Sequence, residues 1–223
     1  ILLKENKNWS KILDQLPHYD VLLWDKIPHD KHIDGLLQVE GITRQQTNNA
    51  YSLSLPDSWE IFVNEMLPRK RDSKRKRNNL QKLGDLSFEV ILYKNEEYKK
   101  LSGEFIKQKE DRYNSTGVKN YFLNTAIREF YLSMDHNIND DCEIHFCVLK
   151  LNNEILATHW GAYDSRIFYW LMPTFNQTWS RYSPGRLLLE HLIEWSIEEG
   201  LQVFDFTVGG GEYKKEWCNR EMP

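Results

Sequence analysis

The sequence predicts an α+β fold in which helices flank a mixed, mostly antiparallel sheet. Strand-type segments at 143–151, 154–163 and 167–172 follow one another with only short turns between them, which predicts an antiparallel meander. A helical segment and a further apolar strand come next, and this order is typical of a sheet with both strand directions. With 40% apolar and 13% aromatic residues, the 223-residue chain can form a packed core.

The remaining elements are predicted in order along the chain. The opening third indicates a short helix, a buried strand and an alternating edge strand, at 9–16, 19–24 and 51–55. Asp57 and Glu60 form a capping box for a helix that runs to Leu67. Beyond Pro68, the patterns predict a basic helix, a strand and two helices before the meander, and a helix and a strand after it, at 69–84, 86–93, 96–113, 121–134, from 184, and 201–206.

The basic helix concentrates positive charge in a chain that is acidic overall. Residues 69–82 contain eight Lys or Arg and one Asp, a local charge of +7, whereas the whole chain carries −4. Such a segment either meets nucleic acid, an anionic membrane surface or an acidic substrate, or is a solvated helix face.

Composition excludes several classes of protein. Three cysteines do not suggest a disulfide framework, so we expect a reducing, cytoplasmic location. No run approaches the roughly 20 apolar residues of a membrane span, and no signal peptide is evident. His29 and His32 have no third ligand in reach, so no metal is predicted. The chain starts at Ile1, and we expect it to begin within a longer protein.

The loop that opens the helix at Pro184 is the first candidate for ligand binding. The sequence Ser183-Pro184-Gly185-Arg186 precedes an amphipathic run, and Pro184 suits the first turn of a helix. Unpaired N–H groups at such a helix start can bind phosphate or another anion. The alternative is an ordinary helix start on a surface loop.

Four stretches, at 77–91, 148–170, 182–206 and 213–217, carry a family resemblance. They contain RNNLQKLGDLSFEVI, VLKLNNEILATHWGAYDSRIFYW, YSPGRLLLEHLIEWSIEEGLQVFDF and YKKEW. In this order they resemble the GNAT acyltransferase superfamily. The resemblance is to the acetyltransferase-like proteins of cellulose and exopolysaccharide biosynthesis, which are relatives of the Fem-type aminoacyl transferases.

The resemblance implies a domain organisation and an activity. It implies the latter part of a degenerate GNAT-like half at 1–55, basic bridging helices at 56–84 and a GNAT acyltransferase domain at 85–223. It also implies transfer of an acyl group from acetyl-CoA or another acyl-CoA, without a metal. The acceptor would be an amine or hydroxyl of a sugar, an amino sugar or an amino-acid-like molecule.

The resemblance places the cofactor on the strand and loop around residues 170–187. The coenzyme A pyrophosphate would meet backbone N–H groups at the helix start, with Arg181 or Arg186 adding charge. The loop matches the family pattern Arg/Gln-x-x-Gly-x-Gly/Ala only at its first position, so another anion can be the ligand. A backbone N–H within 170–174 would hold the thioester carbonyl. The expected cofactor-binding residues are Trp170, Met172, Arg181, Ser183, Gly185, Arg186 and Leu187.

Three residues are candidates for catalysis. His159 is either a general base or a packed strand histidine. Asp205, among apolar neighbours, is either a base with a raised pKa or a structural ion-pair partner of Lys214 or Arg186. Tyr213 would protonate the departing thiolate, as a late tyrosine does in this superfamily. The expected substrate-binding residues are Trp160, Tyr169 and Lys214, with core packing as the alternative for the two aromatics.

Two other functions remain open at this point. One is aminoacyl transfer from charged tRNA, in which the basic helix would bind RNA phosphates. The other is a GNAT-fold binding module without catalysis, because the pyrophosphate loop departs from the family pattern.

Overall fold

The computed structural model describes residues 13–15, 18, 39, 41–43, 49–91, 96–133, 137–139, 142–209 and 211–222. The strand predicted at 19–24 and the pair His29 and His32 lie outside these residues, as do most of the helix predicted at 9–16 and most of the predicted half-domain 1–55.

The described elements alternate between helices and strands as follows: β1 Ala50–Ser54; α1 Trp59–Ile61, which continues as a π-helical turn Phe62–Met66; α2 Lys70–Gln81; β2 Leu86–Ile91; α3 Glu96–Thr116; a 3₁₀ turn Tyr121–Leu123; α4 Thr125–Ser133; β3 Asn137–Asn139; β4 Cys142–Leu151; β5 Glu154–Tyr163; β6 Ile167–Phe175; a 3₁₀ turn Gln177–Tyr182; α5 Pro184–Glu198; β7 Val203–Val208; α6 Glu212–Trp217; β8 Arg220–Met222.

The described strands form one mixed sheet, which confirms the predicted α+β class. Its order is β2-β4-β5-β6-β7-β1-β8, with β3 paired to β4, and only β6 and β7 run parallel to each other. The meander is β4, β5 and β6, joined by the predicted turns. β1 is not the edge strand that its alternating pattern suggested, because the three-residue β8 pairs with its outer side.

Local chemistry accounts for the helix starts. Ser58, not Asp57, caps α1, since the extended backbone falls on Ser58 and its side chain accepts a hydrogen bond from the Ile61 N–H at 3.3 Å. Pro184 lies in the first turn of α5 as predicted, after Ser183 in the left-handed region at φ 53°.

The two faces of the sheet carry two separate apolar cores. Alternation along β4 turns Phe146 and Val148 towards α3 and Cys147 and Leu149 towards α5. The α5 side contains the fully buried Leu187, Leu188, Leu192, Phe168, Phe204 and Phe206. The α3 side contains the fully buried or nearly buried Tyr98, Leu101, Phe105, Ile106 and Phe122.

The parallel strands β6 and β7 stay together over only part of their length. Pairing joins Ile167 to Val203, Phe168 to Phe204 and Tyr169 to Asp205. From Trp170 onwards, β6 continues without pairing to β7. Pro173, which has no N–H, is tolerated in β6 because no partner strand needs a hydrogen bond on that side. The separation leaves a gap between two strands in the middle of the sheet.

Candidate active site

A cleft of about 340 Å³ lies at this gap. Its walls come from α3, the separated part of β6, the end of β7 and α6. The lining residues are Lys109, Arg112, Tyr113, Thr116, Val118, Trp170, Leu171, Pro173, Thr207, Val208, Tyr213 and Lys214. Of the thirteen site residues predicted from the sequence, three line it: Trp170, Tyr213 and Lys214.

The α3 wall was not predicted from the sequence. Lys109, Arg112, Tyr113 and Thr116 have the spacing i, i+3, i+4, i+7 that puts them on one helix face. Lys109 is only 7% exposed. Burial, together with the charge of Arg112, lowers the pKa of Lys109 to about 7. The sequence feature that could have indicated this wall is the position of Lys109, one helical turn after Phe105 and on the same inward-packing helix face.

Tyr213 faces the cleft from α6 and is oriented by β6. The Trp170 Nε1–H donates a hydrogen bond to the Tyr213 hydroxyl at 3.0 Å. Partial burial raises the pKa of Tyr213, while the hydrogen bond from Trp170 acts in the opposite direction. Because the phenol keeps its proton at neutral pH, its O–H is available as a donor towards the cleft.

His159 lies directly behind Trp170 and does not line the cleft. The two rings stack at 4.3 Å between centroids with 8° between their planes. His159 is fully buried, and its Nε2 accepts a hydrogen bond from the Leu171 N–H at 3.2 Å. Burial holds the pKa of His159 well below its usual value. The imidazole is therefore neutral and placed to position β6, while its role as a base stays a prediction.

Gly161 makes room for this arrangement. A Cβ at Gly161 would lie 2.3 Å from His159 Cε1 and 2.6 Å from the Tyr169 carbonyl oxygen. The β5–β6 pairing is also irregular here, between Trp160 and Ala162. Glycine is therefore required where the His159 ring folds over its own strand.

Asp205 lies on β7, below the part of the strand that lines the cleft. Its Oδ1 accepts a hydrogen bond from the Thr207 N–H at 2.7 Å, and Thr207 has φ 60°. Burial raises the pKa of Asp205, although the Thr207 N–H and the charge of Lys214 oppose the shift. Among the described residues, the structure records no ion pair from Asp205 to Lys214 or Arg186. Asp205 therefore has the raised pKa that a role as general base requires, and that role stays a prediction.

Lys214 ties α6 to the end of β7. Its Nζ donates to the carbonyl oxygens of Phe206, Thr207 and Val208 at 2.7, 3.3 and 3.4 Å. The side chain is buried. These bonds account for the buried ammonium without a substrate, so the substrate contact expected for Lys214 stays a prediction.

The start of α5 keeps most of its donors within the protein. The Ser183 carbonyl accepts hydrogen bonds from the Arg186 and Leu187 N–H groups at 3.0 and 3.2 Å. Pro184 has no N–H, so Gly185 supplies the one first-turn N–H without a recorded partner in the described part of the chain. Lys76 of α2 also closes on this loop, donating to the Arg181 carbonyl at 2.7 Å and Ser183 Oγ at 3.0 Å.

The two arginines expected at the cofactor have protein partners. Arg186 donates to Ser73 Oγ at 2.8 Å and to the Pro68 carbonyl, and it lies over the Trp217 ring at 4.6 Å. It also pairs with two carboxylates, Glu190 and Glu216. The exposed Arg181 lies over the Tyr182 ring at 4.6 Å.

The other predicted contacts lie in or beside the two cores. Trp160 packs edge-on against Tyr131 at 4.8 Å, and Tyr169 donates to Asp164 Oδ2 at 3.1 Å. Leu187 is fully buried, and Met172 packs on the α3-side core. Contact of these four with a ligand stays a prediction.

A cluster of possible metal ligands lies behind the cleft. His145, Cys147 and His159 are fully buried, with ligand atoms within 4.8 Å of one another. His159 Nε2 already accepts the Leu171 N–H, which puts the proton on Nδ1 and leaves this imidazole no free lone pair. Burial also raises the pKa of the Cys147 thiol well above its usual value. This set does not fit a metal as it stands.

Comparisons with known proteins agree with this fold. A family model described as an acetyltransferase (GNAT) domain matches residues 68–215. A crystal structure of FemX superposes with a TM-score of 0.59 at 10% identity, covering 88% of this chain and 68% of FemX. A conserved Bacteroides thetaiotaomicron VPI-5482 protein of unknown function superposes with a TM-score of 0.53 at 13% identity, covering 88% of this chain and 66% of that protein.

The chain spans about two thirds of the length of both solved structures. No curated protein matches it in sequence. Within the described residues, none of the helices is both long and apolar enough to cross a membrane.

Proposed function

Because the chain belongs to the acetyltransferase (GNAT) domain family, we propose that it transfers an acyl group from acetyl-CoA or another acyl-CoA to an acceptor bound in the cleft. The acceptor nucleophile is an amine or hydroxyl of a sugar, an amino sugar or an amino-acid-like molecule. The observation that carries the proposal is the Tyr213 hydroxyl, which Trp170 Nε1 holds at 3.0 Å beside the gap between β6 and β7.

The reaction needs one proton delivered and one removed. The acceptor nitrogen or oxygen attacks the thioester carbonyl carbon, the new bond forms, and the carbon–sulfur bond breaks. Tyr213 gives its proton to the leaving thiolate sulfur. Asp205, whose pKa is raised by burial, takes the acceptor proton through water, since it does not itself line the cleft.

The donor carbonyl requires a backbone N–H as negative charge develops on its oxygen. Within the expected stretch 170–174, Pro173 has none, and pairing with β5 engages Met172 and Thr174. We therefore propose that the thioester oxygen takes the Leu171 N–H from His159 Nε2, which accepts it in the free protein.

Binding and turnover test the proposal separately. Titration calorimetry with acetyl-CoA and longer acyl-CoAs should give saturable binding. Release of free thiol should then depend on an acceptor from a panel of amino sugars and amino acids. If no acyl-CoA binds, acyl-CoA is not the acyl donor and the proposal is wrong.

Aminoacyl transfer from charged tRNA is the second candidate, and one observation favours it. Within the part of the chain that the structure describes, Gly185 supplies the one first-turn N–H of α5 without a recorded partner, which is little for a pyrophosphate. Meanwhile α2 and its ends expose six basic side chains: Arg69, Lys70, Arg71, Lys74, Arg75 and Lys82. In this reaction Tyr213 would protonate the leaving ribose oxygen.

The tRNA candidate predicts affinity that falls steeply with salt. A filter-binding assay with aminoacyl-tRNA between 50 and 200 mM salt measures it, with Lys74→Ala/Arg75→Ala as the test variant. Absence of tRNA binding at low salt would eliminate this candidate.

A further inference from the structure

The cleft is cationic in a chain that is acidic overall. Among the described residues, its lining has three basic side chains, Lys109, Arg112 and Lys214, and no carboxylate, while the whole chain carries −4. Backbone carbonyls surround the Lys214 ammonium. For the side chains of Lys109 and Arg112, the described residues supply no recorded hydrogen bond or ion pair. Two cations thus line a cavity without a partner from the described protein.

Lys109 is the unusual member of this pair. It is 93% buried, yet it lines the cleft. A buried ammonium without a counter-charge costs free energy, and proteins rarely retain one without a partner. Neighbouring lysines on α3 differ: Lys107 is exposed and pairs with Glu104 at 3.7 Å.

We infer that Lys109 and Arg112 form an anion-binding subsite that holds a carboxylate or phosphate group of the acceptor. Naming the acceptor as the owner of this group rests on the proposed function; the anion subsite does not. The two residues are three apart on α3, so both project from one helix face into the same cavity. Arg112 is near enough to act electrostatically on Lys109 and on Tyr213, so the anion would lie on the α3 wall near the reacting centre.

Proton linkage supports the same assignment. Burial and the nearby Arg112 lower the pKa of Lys109 to about 7. An anion between the two cations would favour the charged amine and raise that pKa. Binding at pH 8 should therefore be accompanied by uptake of a proton, which an ordinary surface lysine, already charged, would not show.

Thermal unfolding at pH 8 in phosphate, succinate or chloride of equal ionic strength tests the subsite. With a Kd of about 5 mM, 100 mM anion would raise Tm by about 4 °C over chloride. Lys109→Met should abolish this rise, and Lys107→Met, on the exposed side of the same helix, should retain it. A rise with succinate alone assigns a carboxylate, and one with phosphate alone assigns a phosphate.

Equal Tm values in all three salts, or a rise that survives in Lys109→Met, would overturn the subsite. Calorimetry in two buffers of different ionisation enthalpy checks proton uptake. Acetyl-CoA binding is measured separately from these anions. If the anions raise Tm but no acyl-CoA binds, the subsite is supported and the proposed acyl-CoA donor is contradicted. If acyl-CoA binds but the anions do not raise Tm, the donor is supported and the subsite is contradicted.

Discussion

The start of α5 and the cleft wall on α3 use their cations in opposite ways. At α5, Arg186 meets Ser73, Glu190 and Trp217 within the protein, and Lys76 closes the loop. On α3, Lys109 is more deeply buried than the half-buried Arg186 but has no recorded partner among the described residues. In the region that resembles a family motif the cations have protein partners, whereas in the region without a motif Lys109 and Arg112 have none recorded among the described residues.

This difference indicates where a ligand is still needed. A buried charge with protein partners stabilises the fold when its geometry is good, and losing one partner is costly. A buried charge without partners is a cost that a ligand can offset. Replacing each cation by methionine should therefore change stability in opposite directions.

Arg186→Met should give the largest loss of stability. It removes the bonds to Ser73 and Pro68 and leaves the buried Glu190 with Arg77 as its remaining recorded cationic partner. We expect the free energy of unfolding to fall by about 4 kcal/mol. Urea denaturation measures it, with the exposed Arg181→Met as the control that should change it by less than about 0.5 kcal/mol.

Lys109→Met should stabilise the protein in a pH-dependent manner. A folded-state pKa of about 7, below the unfolded value of 10.5, means that the unfolded chain binds more protons between these values. Wild-type stability therefore rises from pH 7 to pH 10.5, and the full penalty, at most about 5 kcal/mol, applies below pH 7.

We expect the free energy of unfolding of Lys109→Met to exceed that of the wild type by about 3 kcal/mol at pH 6 and to equal it near pH 10. Urea denaturation across this range, in chloride, provides the measurement. A constant offset at all pH values would show that Lys109 has an ordinary pKa and would remove the contrast with Arg186.

Tyr213→Phe tests the chemistry that both regions would serve. The ring and its packing are kept, but the proton donor and the acceptor for Trp170 Nε1 are lost. We expect acceptor-dependent thiol release to fall about 100-fold in kcat with little change in KM. The exposed Tyr121→Phe serves as the control, and an unchanged kcat in Tyr213→Phe would exclude the acid role.

Gly161→Ala should have the smallest of these effects, at about 2 kcal/mol of lost stability. The new methyl group would displace the His159 ring and with it the stack on Trp170. Gly103→Ala, inside α3 with open space around its Cβ position, should instead stabilise by about 0.5–1 kcal/mol. Circular dichroism melts of the two variants make the comparison.

Sequence patterns predicted the elements that depend on local chemistry. The turn at Asn152 with φ 54°, Pro184 in the first turn of α5, and the return of Tyr213 and Lys214 to the sheet all follow from residue types in sequence order. The contribution of α3 could not be predicted in this way. Lys109 reaches the cleft only because α3 packs beside residues of β6 and β7 that lie more than 60 residues further along the chain, and periodicity does not predict such contacts.

The same limit applies to the loop at α5. The sequence shows Arg186 beside a helix start, but its orientation is set by Ser73 and Pro68, more than 100 residues earlier. His159 illustrates the converse: its strand position was predicted, whereas its burial behind Trp170 depends on the irregular pairing at Gly161.

A crystal structure with acetyl-CoA bound would show whether the cleft holds the acyl donor. We expect the thioester in the gap between β6 and β7, with its sulfur within about 3.5 Å of the Tyr213 hydroxyl. A thioester bound elsewhere, with the gap closed and Tyr213 remote from the sulfur, would contradict it.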